Sequence, residues 1–205
     1  MKIIYFQGWG EKFDEKKFKI LSKFGDEILY PNINYENDKN IISNYVNSDN
    51  RYSLIVGNSI GAYMAFYISN LIHRPSLLFN PTFFLKNGTD ILPWGDILNH
   101  IENKNIKIIL SLKDEKLNFK KTLQYLNTLK LNDEIKIYNE LYHDIPLDIF
   151  EKEFEEFRKR YENIDRKEKE EIYENWWEQP ISKKIIKTEI KKVDYLEQGW
   201  VQPPG

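Results

Sequence analysis

The chain has 205 residues, 41% of them hydrophobic, and a formal net charge of -2, a size that suits one buried core with an appendage. This charge balance argues against a chain-wide basic surface for nucleic acid. The absence of cysteine excludes disulfides, thiolate catalysis and cysteine-ligated zinc.

The first β-rich run, "KIIYF" at 2–6, is too short for a signal-peptide core, and no apolar stretch approaches a membrane span. A cytoplasmic location is therefore expected. After the loop "QGWG", the pattern predicts a helix over 14–24, a strand at 27–31 ("EILYP"), a helix over 37–47 and a strand at 52–56 ("YSLIV"). The turn "GNSIG" at 57–61 leads into a helix over 60–72, and "SLLFN" at 76–80 is the next strand. Residues 83–100 interrupt the rhythm with Asn87-Gly88, Pro93 and Gly95, and form a candidate lid. A strand at 106–112 ("IKIILSL"), a helix over 117–130, a strand at 134–138 ("EIKIY") and a helix from about 147 complete the series. Strands apolar on both faces, alternating with helices, predict an α/β fold: a mostly parallel sheet of about six strands covered on both sides. Ligand sites in such a sheet form beyond the carboxyl ends of the strands. The expected division is a domain at 1–160 and a charged helix with a C-terminal extension at 161–205, whose alternating charges suit i,i+4 pairing on a solvated face.

"GNSIG" raises the question of a nucleophile. It lacks the lysine of a P-loop and the spacing of a dinucleotide site, and it joins a strand to a helix with small residues, Ala62 and Ala65, where that helix must lie close to the sheet. Ser59 is then either a nucleophile on a tight turn or a serine in a structural glycine loop. A serine needs a base, and the chain has three histidines. His73 precedes a strand and so lies at the wrong end of the sheet, His100 ends the candidate lid, and His143 in "LYHDIP" follows the last strand at the correct end. Asp114 follows the strand at 106–112 and is the candidate acid; its structural alternative is a helix N-cap. Glu115, Asp90 and Asp96 are alternates, and Asp144 is too close to His143 in sequence to be the first choice. The backbone N–H groups of Ile60 and Trp9 are the candidate oxyanion donors, with Gly8 allowing close approach. Trp9, Phe83, Phe84, Leu85 and Trp94 are candidates for the substrate wall, equally compatible with an ordinary core.

The motifs "IIYFQGWG", "LIVGNSIGAYMAFYIS", "LLFNPTFF", "ILSLKDE" and "LYHDIP", in that order, resemble a small α/β-hydrolase of the YqiA/YcfP esterase type over about residues 1–160. The "GWG" triplet is also similar, more faintly, to pimeloyl-acyl-carrier-protein methyl ester esterases. The resemblance implies a cofactor-free serine hydrolase with Ser59 as nucleophile, Asp114 as acid, His143 as base and Trp9 and Ile60 as oxyanion amides. Its substrate would be a small-molecule or acyl-carrier-linked ester or thioester. One departure is Gln7-Gly8, where many hydrolases have His-Gly. Two other uses of the chain stay open. These are an acyltransferase with the same triad, or a hydrolase-fold binding protein working through 161–205, where Trp176, Trp177 and Trp200 would serve a protein partner or a homodimer unless they pack onto the chain's own body.

Overall fold

A computed structural model describes residues 1–35, 41–46, 52–84, 103, 105–131 and 134–162. The chain divides into two units, Met1–Arg158 and Lys159–Gly205, and the account below concerns the first. The candidate lid beyond Phe84, with Leu85, Asp90, Trp94, Asp96 and His100, lies outside the described residues, as do Trp176, Trp177 and Trp200.

Among the described residues the element order is β1 (Lys2–Phe6), α1 (Glu15–Ser22), β2 (Glu27–Leu29), α2 (Ile41–Val46), β3 (Leu54–Asn58), α3 (Ile60–Ile72), β4 (Ser76–Phe79), β5 (Ile106–Ser111), α4 (Phe119–Thr128), β6 (Ile135–Tyr138) and α5 (Leu147–Glu162). Six strands form one sheet in the order β2-β1-β3-β4-β5-β6, and every pairing is parallel. The expected α/β architecture is borne out. The element bounds differ in detail. β3 runs two residues later than the apolar run suggests, because pairing with β1 and β4 carries the extended chain through Gly57 and Asn58. α4 starts at Phe119, because Asn118 caps it by accepting from the Lys121 N–H.

The side-chain period of two separates the sheet's faces. Ile4, Phe6, Ile55, Leu78, Ile108 and Leu110 join one core cluster with α3, Tyr45 and Val46 of α2, and Leu126 of α4. On the other face Tyr5 and Phe79 meet Phe150 of α5, with ring centroids 5.9 and 4.9 Å apart. Phe150, Phe154 and Phe157 are buried at i, i+4 and i+7 of α5; each such side chain contributes roughly 1.5–3 kcal/mol by leaving water. α5 also carries a charge inward. Glu153 is fully buried, with Lys107 Nζ 2.6 Å and Lys136 Nζ 2.5 Å from its carboxylate and the Tyr138 hydroxyl donating to it. Burial alone would raise its pKa, but these donors outweigh burial and hold it below the usual range.

α3 is apolar all round and buried from Ile60 to Asn70, as a helix enclosed by its own protein must be. Its first turn presses on the sheet. A Cβ on Gly61 would stand 2.2 Å from the Phe6 carbonyl oxygen and 2.4 Å from that of Gln7, and one on Gly57 would stand 2.5 Å from Ala62 Cα. Both glycines are there because backbone occupies the space of a side chain.

Two outcomes follow for stability. Gly61→Ala should lower stability by about 1–3 kcal/mol in urea denaturation, and an unchanged midpoint would show that α3 can shift without cost. Glu153→Gln should be less stable than the native chain at neutral pH. Since the native pKa is depressed, that difference is full above the unfolded value of about 4.3 and should close as pH falls through the lower native one; a pH-independent gap would refute the linkage.

Candidate active site

The strand order reverses between β1 and β3, where an open parallel sheet leaves a crevice beyond its carboxyl ends. Register places Phe6 beside Gly57 and Asn58 beside Phe79, so the loops leaving β1, β3 and β4 emerge together. Ser59 sits at the tip of β3 with φ 54° and ψ -122°, an unfavourable conformation for a residue with a Cβ. The turn is held by its own hydrogen bonds: Ser59 N–H donates to Phe79 C=O, and Ser59 C=O accepts from Tyr63 N–H and Thr82 N–H. Serine at a helix N-cap ordinarily turns its hydroxyl onto the helix. Ser59 makes no such capping bond; its Oγ lies 2.9 Å from His143 Nε2 and 3.1 Å from Thr82 Oγ1.

His143 lies in the loop between β6 and α5, 3% exposed, and each of its polar groups is held. Its N–H donates to Glu115 Oε2 at 3.1 Å, its C=O accepts from Asn80 Nδ2 at 2.8 Å, and its Nδ1 lies 2.7 Å from Asp114 Oδ2. Asp114 Oδ1 accepts from the N–H groups of Lys116 and Leu117, both at 2.8 Å. Burial would raise the Asp114 pKa, yet the His143 ring and these two amides outweigh it and keep the carboxyl below its ordinary value. An ionised carboxylate only accepts. His143 Nδ1 therefore carries a proton, and in the neutral ring Nε2 is then the acceptor and Ser59 Oγ–H the donor to it. Thr82, with its hydroxyl beside the same Oγ, then supplies the proton of the remaining bond.

The structure thus brings Ser59, His143 and Asp114 together from three separate loops. The two sequence readings of Asp114 coexist, since one oxygen caps the turn before α4 while the other meets the imidazole. Glu115 contacts the His143 backbone and not its ring. Asp144 is exposed and pairs with Lys116 at 3.6 Å. His73 closes the far end of α3.

A cleft of about 380 Å³ opens over Ser59, lined by Trp9, Gly10, Glu11, Ile60, Thr82, Lys116, Leu117, His143 and Asp144. As the first residue of α3, Ile60 has an N–H with no carbonyl one turn back within the helix. Trp9 is 60% exposed on the cleft wall. Phe83 requires a correction: it is fully buried against Tyr63 and Phe66 of α3 and Tyr125 of α4 and belongs to the core, because these rings enclose its side chain. Phe84 packs on Tyr125 and is absent from the cleft lining.

Sequence reasoning missed Asn80, Thr82 and Glu11. Asn80 is 1% exposed with φ 45°, a region asparagine tolerates better than most residues. Its Oδ1 accepts from Ser111 N–H at 2.8 Å, and its Nδ2 donates to His143 C=O, so it ties β5 to the histidine loop. The Asn-Pro pair directly after a strand was the available signal. Among the described residues, no group of three or more His, Asp or Glu side chains is placed to hold a metal ion, and no helix is long and apolar enough to cross a membrane.

Comparison with known proteins gives the following. The model of a family described as Uncharacterised protein family (UPF0227) matches residues 29–169. No curated protein matches the sequence. Among solved structures, an uncharacterized protein from Bacillus cereus is similar with a TM-score of 0.55 at 21% identity, over 79% of this chain and 60% of that one. The Pyrococcus furiosus esterase Pf2001 is similar with a TM-score of 0.58 at 15% identity, over 78% of this chain and 81% of that one. The chain therefore spans less than two thirds of the Bacillus cereus protein. At these identities the likeness bears on fold, and the α/β-hydrolase fold expected from the motifs is shared.

Asp114→Asn should leave the Lys116 and Leu117 amides satisfied but present an NH2 group to the imidazole. The ring proton should then move from Nδ1 to Nε2, visible in long-range ¹H–¹⁵N correlation spectra of histidine-labelled protein. An unchanged Nδ1–H tautomer would overturn the assigned polarity.

Proposed function

The chain belongs to the uncharacterised protein family UPF0227, and from its site we propose that it is a serine hydrolase cleaving a carboxylic ester or thioester through an acyl-enzyme. The observation that carries this reading is the continuous array Ser59 Oγ, His143 Nε2, His143 Nδ1, Asp114 Oδ2, with links of 2.9 and 2.7 Å, on a positive-φ turn at the floor of a cleft.

Ser59 Oγ attacks the substrate carbonyl while its proton passes to His143 Nε2. Asp114 keeps the imidazole in the accepting tautomer and stabilises the imidazolium. The negative charge on the carbonyl oxygen falls to the N–H groups of Ile60 and Trp9. Collapse of the tetrahedral intermediate breaks the bond to the leaving alkoxide or thiolate, which takes the proton from His143, and the acyl group stays on Ser59. Water then gives a proton to His143, attacks the acyl carbonyl and releases the acid, returning the proton to Ser59. The proposed cycle uses no cofactor. The cleft walls mix apolar Trp9, Ile60 and Leu117 with charged Lys116 and Asp144, which favours a small-molecule ester that carries polar groups. Residues 1–160 would constitute this catalytic unit.

A fluorophosphonate probe loses fluoride to an activated serine and leaves it phosphonylated. Native protein should be labelled at Ser59, and folded Ser59→Ala and His143→Ala should not be. Turnover of p-nitrophenyl acetate should fall by about 10⁴ to 10⁶-fold in both variants. Unchanged turnover in Ser59→Ala would rule out the assignment.

A further inference from the structure

The loop Gln7-Gly8-Trp9-Gly10, from which the proposed mechanism draws one oxyanion donor, is gripped by a carboxylate. Glu11 Oε2 accepts from Gly8 N–H at 3.1 Å, Glu11 Oε1 accepts from Asn58 Nδ2 at 2.7 Å, and Lys17 Nζ stands 3.8 Å from Oε2. Glu11 N–H donates to Gly8 C=O at 3.3 Å. Gly8 is thus held through both its polar groups by one residue, while Tyr35 O–H fixes the preceding carbonyl of Gln7 at 2.7 Å. A Cβ at position 8 would lie 2.6 Å from Glu11 Oε1, so a side chain there would push the carboxylate out of this arrangement.

We infer that Glu11 is a positioning residue that selects and aims the oxyanion donor of the β1 loop and locks that loop to the nucleophile turn through Asn58. The inference rests on the hydrolase reading above. In a trans peptide the C=O and N–H point opposite ways. With Gly8 C=O drawn toward Glu11 N–H, the Trp9 N–H of the same peptide faces away from Glu11. Gly8 N–H is meanwhile consumed by the carboxylate, so of these two adjacent amides Trp9's is the one left to a ligand. Asn58 immediately precedes Ser59, and its bond to Oε1 sets the spacing between the loop and the nucleophile.

The sign of the charge strengthens the inference. A carboxylate on the wall of a site that must hold a developing oxyanion is electrostatically adverse. Its lone pairs are directed at Gly8, Asn58 and Lys17, so its service to the site is geometric.

The test uses four variants of the full chain, read by kcat and KM on p-nitrophenyl acetate and by hydrogen exchange at the Gly8 amide. Glu11→Gln keeps an oxygen for Gly8 N–H and offers an NH2 to a flipped Asn58 amide, so it should stay within about threefold of native kcat. Glu11→Ala, and Asn58→Asp with two carboxylates face to face, should each lose about 10 to 100-fold in kcat with KM little changed, less than the roughly 10² to 10³-fold cost of removing an oxyanion donor outright because the donor is misaimed and not lost. Glu11→Gln combined with Asn58→Asp restores a donor–acceptor pair and should recover most of the loss. Gly8 exchange protection should fall in the two impaired variants and return in the double variant. Native kcat and native Gly8 protection in Glu11→Ala would overturn the inference, as would a double variant no better than Asn58→Asp. A native protein whose Gly8 protection follows the expected pattern, but whose Ser59 takes no fluorophosphonate, would uphold the clamp and sink the hydrolase reading instead.

Discussion

The close approach of α3 to the ends of β1 and β3 is the constraint on which the site depends. Gly57 and Gly61 leave no atoms where backbone from the facing element already sits, so the chain between them has one way to turn. That turn forces Ser59 to positive φ and lifts its side chain off the helix it would otherwise cap. The strain belongs to one residue, but burial of nearly the whole of α3 opposes its relief. The position of Ser59 is thus specified by core packing and not by local preference.

Around this fixed point the other loops are located by polar bonds to buried or semi-buried groups. Asn80 leaves β4 in the left-handed region and reaches β5 and the histidine loop together. Glu115 takes the His143 N–H, so the backbone of that residue is tied on both sides. The imidazole meets Ser59 and Asp114 because its main chain has nowhere else to go. Glu153, on the opposite face, helps to set the start of that loop, since it joins β5 and β6 to α5 through Lys107, Lys136 and Tyr138.

Much of this was legible in the sequence. Strands apolar on both faces announced a covered parallel sheet, and two glycines flanking Ser59 announced a tight turn, because both signals are local consequences of packing. The end of the sheet at which His143 and Asp114 lie followed from chain direction alone. Phe83 was not legible: an aromatic after a strand reads the same whether its ring lines the cleft or joins the core, and only the cluster with Tyr63, Phe66 and Tyr125 decides it. Glu11 and Asn80 escaped for a different reason. Asn-Pro after a strand marked a special turn but not its reach to the His143 carbonyl, and nothing in residue types records that Glu11 takes the Gly8 amide and the Asn58 side chain.

Three carboxylates frame the site, and each binds a loop N–H: Glu11 that of Gly8, Asp114 those of Lys116 and Leu117, and Glu115 that of His143. A carboxylate is an acceptor at every lone pair, so wherever one is placed the direction of the neighbouring hydrogen bonds is decided. From Asp114 the direction propagates through the imidazole to Ser59 and leaves Thr82 as donor. From Glu11 it runs into Gly8 and Asn58 and leaves the Trp9 amide uncommitted. Acidic side chains set at the margins can in this way orient a centre that itself contains a serine hydroxyl, an imidazole and bare amides. The charge stays on groups already satisfied by donors, and the groups at the cleft floor keep the open valences that acyl transfer would need.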